Sequence, residues 1–259
     1  MSNSVEAVPY IDIHTHLFFG VDDGSDSIAT SIEMARLAAS NGTRIIALTP
    51  HFNPEDPYAE SFNDPEMKKG LKMLKDAVKK NGIPIDFVTG MEVFCNEGII
   101  DALELKTLVT LNGTKHILVE FGFGEDPMFV RHILGRISEK GLVPVLAHPE
   151  RYFFVQQNPR MIYDWVMSGC VIQINKGSII GRFGEDAAKT ARLLVGHDLV
   201  HCVASDAHGT DVRTPVLSEA YDAICVNFGR ECAKRLFYTN PAHILLNKRP
   251  VLGMPIPFG

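Results

Sequence analysis

A single α/β barrel is the fold that this 259-residue sequence predicts, and two observations predict it. Apolar runs of strand length alternate with amphipathic stretches nearly all the way along, giving about seven βα units whose strands are apolar on both faces. The residues that close those runs are polar: His14 and His16, His51, Glu92, Glu120, His148, and Asp206 with His208. In a parallel barrel the C-terminal ends of all strands converge on one mouth, whereas an open sheet would spread them along an edge.

The elements follow in order. Val8 to Ile11 enters the first strand, which runs into Asp12-Ile13-His14-Thr15-His16. Two histidines one residue apart on a strand share a face, so both imidazoles can reach one ion. After a polar turn at Asp22-Asp23-Gly24-Ser25, a helix spans Ile28 to Ser40, with Ile28, Ile32, Ala35 and Ala39 as its buried stripe and Asn41-Gly42 as its stop. Arg44 to Thr49 is a strand leading to Pro50-His51, and a lysine-rich helix covers about Asp64 to Lys80. Ile85 to Thr89 is the third strand and ends in Gly90-Met91-Glu92. A short helix spans Glu97 to Lys106, Leu108 to Leu111 adds a strand, and Asn112-Gly113 is a hairpin signal. His116 to Val119 leads to Glu120, Pro127 to Lys140 is helical, and Val143 to Ala147 delivers His148. Pro159 to Ser168 is helical, and Val171 to Ile174 ends at Asn175. Glu185 to Gly196 is helical, and Leu199 to Ala204 ends at Ser205-Asp206-Ala207-His208. Helices over about Val216–Phe228 and Glu231–Phe237 and a turn opened by Asn240-Pro241 complete the chain, before a proline- and glycine-rich tail from Val251 to Gly259. No repeat or linker marks a boundary, so residues 1–259 read as one domain.

Composition narrows the class. Apolar residues make up 46% and charged residues 22%, a globular balance. The formal charge of −6, without any lysine–arginine run, argues against a nucleic-acid or anionic-membrane surface. Met1 to Pro9 lacks the features of a signal peptide and no apolar stretch reaches the roughly eighteen residues of a membrane span, so a soluble cytoplasmic protein is expected. The five cysteines form no C-x-x-C pair. His201-Cys202 begins like the loop of cysteine phosphatases, but His208 stands where that loop needs arginine.

With Asp23 of the first loop, nine ligands are available: His14, His16, Asp23, His51, Glu92, Glu120, His148, Asp206 and His208. Histidines and carboxylates without cysteine suit zinc, manganese or iron. Nine exceed what one ion needs, which points to two or three closely spaced ions able to activate water and clamp a phosphoryl group. His116, His132, His197, His201 and His243 fall outside the pattern and read as structural or exposed. Arg151 and Arg213 stand beside the ligands with the bidentate fork that phosphate favours, Lys176 is a weaker phosphate contact, and Glu150 is placed to hold Arg151.

D-I-H-T-H, the D-D-G turn, T-P-H, G-M-E, V-E-F, A-H-P-E-R-Y and S-D-A-H, in this order, resemble the polymerase and histidinol phosphatase (PHP) superfamily. Within it, the H-x-H-x3-G-x-D-D-G opening, A-H-P-E-R-Y and S-D-A-H are similar to the bacterial manganese-dependent protein-tyrosine phosphatases of capsule and exopolysaccharide operons, from about Tyr10 to Lys248. The resemblance implies a distorted TIM-like (β/α)7 PHP barrel with three divalent ions, Mn2+ foremost and Fe or Zn as alternatives. One ion would take His14, His16, Glu92 and Asp206; a second would share Glu92 and add Glu120 and His148; the third would take Asp23, His51 and His208. Arg151 and Arg213 match the family's phosphate-contacting arginines, and Asp206 and His208 join them as expected catalytic residues. The expected reaction is attack of a metal-bridging hydroxide on phosphotyrosine, in the tail of a bacterial tyrosine kinase by analogy.

Three rivals remain at this stage. A small-molecule phosphatase such as histidinol phosphatase would share the metals and differ at the rim, formed by Phe52 to Phe62 and Arg151-Tyr152-Phe153-Phe154, whose aromatic residues could stack on a phenyl ring. Amidohydrolases also open with His-x-His, but those with binuclear sites often need a carboxylated lysine where this chain has Glu92 and Glu120. A non-catalytic metal-keeping domain is disfavoured by the full ligand set. Oligomeric state is left open.

Overall fold

The computed structural model describes residues 8–105 and 107–259. Its strands are β1 (Tyr10–Thr15), β2 (Thr43–Leu48), β3 (His51–Phe52), β4 (Asp86–Thr89), β5 (Glu92–Phe94), β6 (His116–Glu120), β7 (Val143–Ala147), β8 (Val171–Asn175) and β9 (Cys202–Ala204). The helices are α1 (Ile28–Ser40), α2 (Pro65–Lys80), α3 (Ile99–Leu105), α4 (Pro127–Glu139), α5 (Phe153–Gln157), α6 (Arg160–Met167), α7 (Lys176–Ile179), α8 (Glu185–Gly196), α9 (Ser218–Phe228), α10 (Arg230–Lys234) and α11 (Asn240–Leu245), the last two joined by a π-helical turn.

The described strand pairs are parallel and fall in two sheets, β1-β2-β4 and β3-β5-β6-β7-β8-β9. β2 continues into β3 across Thr49-Pro50, and β4 into β5 across Gly90-Met91, so nine strands make seven staves of a distorted barrel. At the seam between β9 and β1 the staves meet through one parallel bridge, Thr15 to Ala207. Backbone bonds from Asp206 N–H to the His14 carbonyl and from His16 N–H to the Ala207 carbonyl, both 2.9 Å, support it.

Both faces of the staves are buried. Ile117, Val119, Leu146 and Ile172 face the outer helices, while Leu118, Val145, Val171 and Cys202 fill the barrel interior, where Ile244 and Leu245 of α11 plug the N-terminal end. This two-sided burial is why the strands read as unbroken apolar runs. A second layer packs α1 and α2 on β2 and β4 through Met34, Ala38, Leu48, Leu74 and Phe87.

Several sequence expectations shift. On α1 the fully buried positions are Ser31, Met34, Ala35 and Ala38, while Ile28, Ile32 and Ala39 are only partly buried. The helix is rotated because Ser31 is satisfied inside: its hydroxyl donates to the Leu17 carbonyl at 2.7 Å. Leu108 to Leu111 forms no strand, and Asn112-Gly113 closes a 3-10 turn instead of a hairpin. Both residues do take the positive φ that their types favour, but the next strand pairs parallel with its neighbours. The helix expected to end at Lys106 spans Ile99–Leu105, its expected end lying outside the described residues. The tail packs down: Ile256 N–H donates to the His197 carbonyl at 2.9 Å, and Phe258 stacks on the His197 ring. No helix among the described residues is long and apolar enough to cross a membrane.

Candidate metal centre

All nine sequence-predicted ligands meet at the C-terminal mouth. Glu92, at the start of β5, is the hub: Oε1 lies 3.1 Å from His14 Nε2 and 3.0 Å from His148 Nε2, and Oε2 lies 3.1 Å from His16 Nε2 and 3.2 Å from His51 Nδ1. His14 and His16 point the same way from β1, as alternation requires, with their Nε2 atoms 3.3 Å apart. Asp206 Oδ1 is 3.5 Å from each of them. Glu120 reaches His51 Nδ1 at 3.0 Å, and Asp23 lies 3.2 Å from His208 and 3.6 Å from His51. The donor atoms form four close groups: His16, Asp23, His51, His208; His14, His16, Glu92; His14, His148, Asp206; and His51, Glu92, Glu120.

The electrostatics call for cations. His14 Nδ1 faces the Gln173 Oε1 at 2.8 Å and His16 Nδ1 faces the Asp22 carboxylate at 2.7 Å, so each Nδ1 carries a proton and each neutral ring turns a lone pair toward carboxylate oxygens. Burial opposes the charged imidazolium of His14, yet Glu92 and Asp206 outweigh it and raise its pKa to about 9. His16, equally buried, is raised to about 10 by Asp22, Glu92 and Asp206. Burial works against ionised Glu92 and Asp206 too, but the surrounding histidines hold both well below the usual carboxylate range. Two buried imidazoles driven to accept protons mark a place short of positive charge. Glu92 Oε2 and His208 Nε2 are buried without a hydrogen-bond partner among the described residues. This donor set fits divalent ions.

A relay of amides fixes the geometry. Gln173 accepts from His14 and donates to Asn175 Oδ1 at 2.9 Å, and Asn175 Nδ2 donates to Asp206 Oδ2 at 2.6 Å. On the other side Asp22 also accepts from the backbone N–H groups of His51 and Gly24, at 3.1 and 3.0 Å. Gly24 is required there, because a Cβ would lie 2.1 Å from the His16 carbonyl oxygen. Asp12 accepts from the Ser205 N–H at 3.0 Å, tying β1 to the turn that presents Asp206. His148, Asp206 and Arg213 all take positive φ, 35°, 50° and 51°, a conformation unfavourable for side-chain-bearing residues that here aims three polar groups at one point.

Arg213 Nη2 lies 2.6 Å from Asp206 Oδ1, and Arg151 Nη1 lies 3.6 Å from Asp206 Oδ2. The Arg151 guanidinium is held between two phenyl faces, 4.7 Å from the Phe123 centroid and 4.3 Å from that of Phe183. The Phe183 ring sits against the Gly177 backbone, where an added Cβ would approach it to 2.6 Å.

The match to the family described as capsular polysaccharide synthesis, CpsB/CapC, runs over residues 10–246. The chain belongs to this family. Tyrosine-protein phosphatase YwqE of Bacillus subtilis is 35% identical over 246 residues, covering 95% of this chain and 94% of that protein. Tyrosine-protein phosphatase CpsB of Streptococcus agalactiae is 34% identical, covering 92% and 98%. A solved structure from work on B. subtilis YwqE and Streptococcus pneumoniae CpsB, described as metal-dependent tyrosine phosphatases, has a TM-score of 0.87 at 35% identity, covering 96% of this chain and 99% of that one. The phosphotriesterase homology protein of Escherichia coli shares the fold, with a TM-score of 0.63 at 9% identity and coverage of 91% and 98%.

Three expected roles beside the ligands of this CpsB/CapC chain are corrected by the geometry. Lys176 does not face the mouth: it is buried and donates to Thr214 Oγ1 and the Val216 carbonyl, at 3.1 and 2.7 Å, anchoring the loop that carries Arg213. Glu150 does not hold Arg151; its Oε1 accepts from the Asn175 N–H and the Ser178 hydroxyl. Tyr152 is no rim residue but fully buried, its hydroxyl accepting from the Phe121 N–H at 3.0 Å. Phe52 and Phe62 are likewise buried, leaving Tyr58 and Phe153 exposed at the rim. Asp22, Gln173, Phe123 and Phe183 escaped the sequence reading. Only Asp22, beside the chosen Asp23, and Gln173, two residues before a strand end, carried any signal.

Proposed function

We propose that this chain is a metal-dependent phosphatase acting on phosphotyrosine in proteins. The carrying observation is the set of four imidazoles gathered on the buried Glu92, with Arg151 and Arg213 beside Asp206 at its edge. The relatives' names and the match along nearly the whole chain support phosphotyrosine as the substrate class.

In this reading the nine residues hold three divalent ions, Mn2+ foremost: His14, His16, Glu92 and Asp206 on one; Glu92, Glu120 and His148 on a second; Asp23, His51 and His208 on the third. His51 also stands within 3.2 Å of Glu92 and Glu120, so it is shared between the second and third groups. When bound, such ions lower the pKa of water and offset charge on the phosphoryl group. Arg151 and Arg213 then hold the equatorial phosphoryl oxygens by charge-assisted hydrogen bonds. Arg151 arrives oriented, because Phe123 and Phe183 restrict its guanidinium plane. Gln173 and Asp22 keep the His14 and His16 Nε2 atoms aimed inward. The exposed faces of Phe123 and Phe153 beside Arg151 give an aryl leaving group an apolar wall, which favours phosphotyrosine over histidinol phosphate. A tyrosinate, with a pKa of about 10, is a fair leaving group and needs little protonation. By analogy the protein substrate is a bacterial tyrosine kinase of capsule or exopolysaccharide synthesis.

The test is phosphate release from a phosphotyrosine peptide beside histidinol phosphate, after manganese loading and with a chelated control. Preference for the peptide, abolished by chelation, is expected. Preference for histidinol phosphate would overturn the substrate assignment.

A further inference from the structure

A second concave site lies at the opposite end of the barrel. Where β6, β7 and β8 begin, a cavity of about 660 Å³ opens beside the segment that follows α11. Its polar wall is Lys115, His116, His201, Asn247, Lys248 and Arg249, and no acidic residue lines it. That is notable in a chain whose net charge is −6. Lys115, Lys248 and Arg249 are exposed, and none is in an ion pair among the described residues. The remaining wall is largely apolar, including Val143, Val171 and Leu252.

His201 supplies the independent observation. It is 6% exposed and lines the cavity. Its Nδ1 accepts from the Ile172 N–H at 3.0 Å, which puts the ring proton on Nε2. That Nε2–H has no hydrogen-bond acceptor among the described residues. Burial, reinforced by Arg235 and Arg249, keeps the ring neutral, with its pKa pushed down to about 3. The nitrogen is not among the buried polar atoms shut off from solvent, so this donor stays open to a ligand or water in the cavity its ring lines.

The cavity wall is built rather than incidental. Asn247 takes a left-handed φ of 56° and its Oδ1 accepts from the Lys115 N–H at 2.9 Å. The Lys248 N–H donates to the His243 carbonyl at 2.7 Å. The buried Asn240 amide bridges the His201 and Val251 carbonyls, each at 2.7 Å, and accepts from the Val251 N–H. These bonds pin both ends of the Asn247–Val251 segment, so Lys248 and Arg249 are presented from a fixed loop.

We propose that this cavity binds a small organic anion (a phosphate, sulfonate or carboxylate bearing an aryl or alkyl group), its charge held by Lys248, Arg249 and the His201 Nε2–H and its apolar part laid on the aliphatic wall. The site is separate from the metal centre: His116, Val143 and Val171 open the strands whose far ends carry Glu120, His148 and Asn175.

The test uses manganese-loaded protein and naphthalene-1-sulfonate, which a phosphatase cannot hydrolyse, by isothermal titration. One site is expected, weakening as salt is raised. The K248E/R249E variant changes exposed residues only, so it keeps the fold; it should lose about tenfold or more in affinity while phosphatase activity is unchanged. In imidazole 1H–15N spectra, the His201 Nε2–H resonance should move on adding the probe. The proposal is overturned by absence of binding up to about 10 mM, by equal affinity in K248E/R249E, or by a static His201 resonance. Binding that disappears when the metals are chelated would put the probe at the hydrolytic centre and also overturn it.

Discussion

Replacing Asp22 with Asn removes one charge behind the metal centre with almost no change in side-chain size. Asp22 Oδ2 receives the His16 Nδ1–H at 2.7 Å and the His51 N–H at 3.1 Å, and Oδ1 receives the Gly24 N–H at 3.0 Å. An asparagine offers one acceptor oxygen, so either His16 or the backbone loses its partner. Burial alone would raise the Asp22 pKa, but His16 more than reverses this and brings it to about 2, against an ordinary 3.8. That difference corresponds to about 2 kcal/mol. It stabilises the fold above the ordinary carboxylate pKa and is lost as the pH falls toward about 2. A carboxylate behind a metal-binding histidine is worth roughly 10–100-fold in metal affinity, the same size of effect. Asp22→Asn should therefore shift the manganese dependence of activity to roughly 10–100-fold higher free metal, with near-normal turnover once the metal is in excess. The assay is phosphotyrosine-peptide hydrolysis across chelator-buffered manganese concentrations. An unshifted curve would refute the reasoning, as would a loss that excess metal cannot restore in a protein with a native circular dichroism spectrum.

Other consequences follow from the same geometry. Without metal, His14 and His16 titrate at about 9 and about 10, above the ordinary 6.5, so their charged forms stabilise the fold fully below pH 6.5. That contribution is lost as pH rises through 9 to 10: metal-free protein should lose thermal stability over this window, and metal uptake at pH 7 should release protons, seen as buffer-dependent heats of binding. Phe183→Leu removes one face of the Arg151 sandwich and should raise KM for a phosphotyrosine peptide about threefold, measured by steady-state kinetics, with manganese stoichiometry unaltered. Lys176→Met breaks the two hydrogen bonds that hold the Arg213 loop and should cost ~1–3 kcal/mol in urea unfolding, with a fall in kcat/KM.

The ligands were legible because a strand end is a position with a direction. His14 and His16 alternate with the buried Ile13 and Thr15, and each later apolar run stops at the residue that enters the mouth. The breaks at Thr49-Pro50 and Gly90-Met91 were not legible, since a stave that shifts between sheets keeps its apolar pattern on both sides. Lys176, Glu150 and Tyr152 were misread for a related reason: proximity in sequence to a ligand does not say which way a side chain turns after the strand ends. Each turned inward and found backbone or hydroxyl partners that no local pattern announces. Phe123 and Phe183 lie 60 residues apart by number and meet only through Arg151, a contact set by tertiary packing alone.

The measurement closest to the central claim is a manganese titration of metal-depleted protein, following bound metal and phosphotyrosine-peptide hydrolysis in the same samples. The account predicts no hydrolysis without metal and activity that rises with occupancy to a plateau at about three equivalents, the number of ions proposed for the nine ligands. Full hydrolysis by protein shown to be metal-free would contradict it.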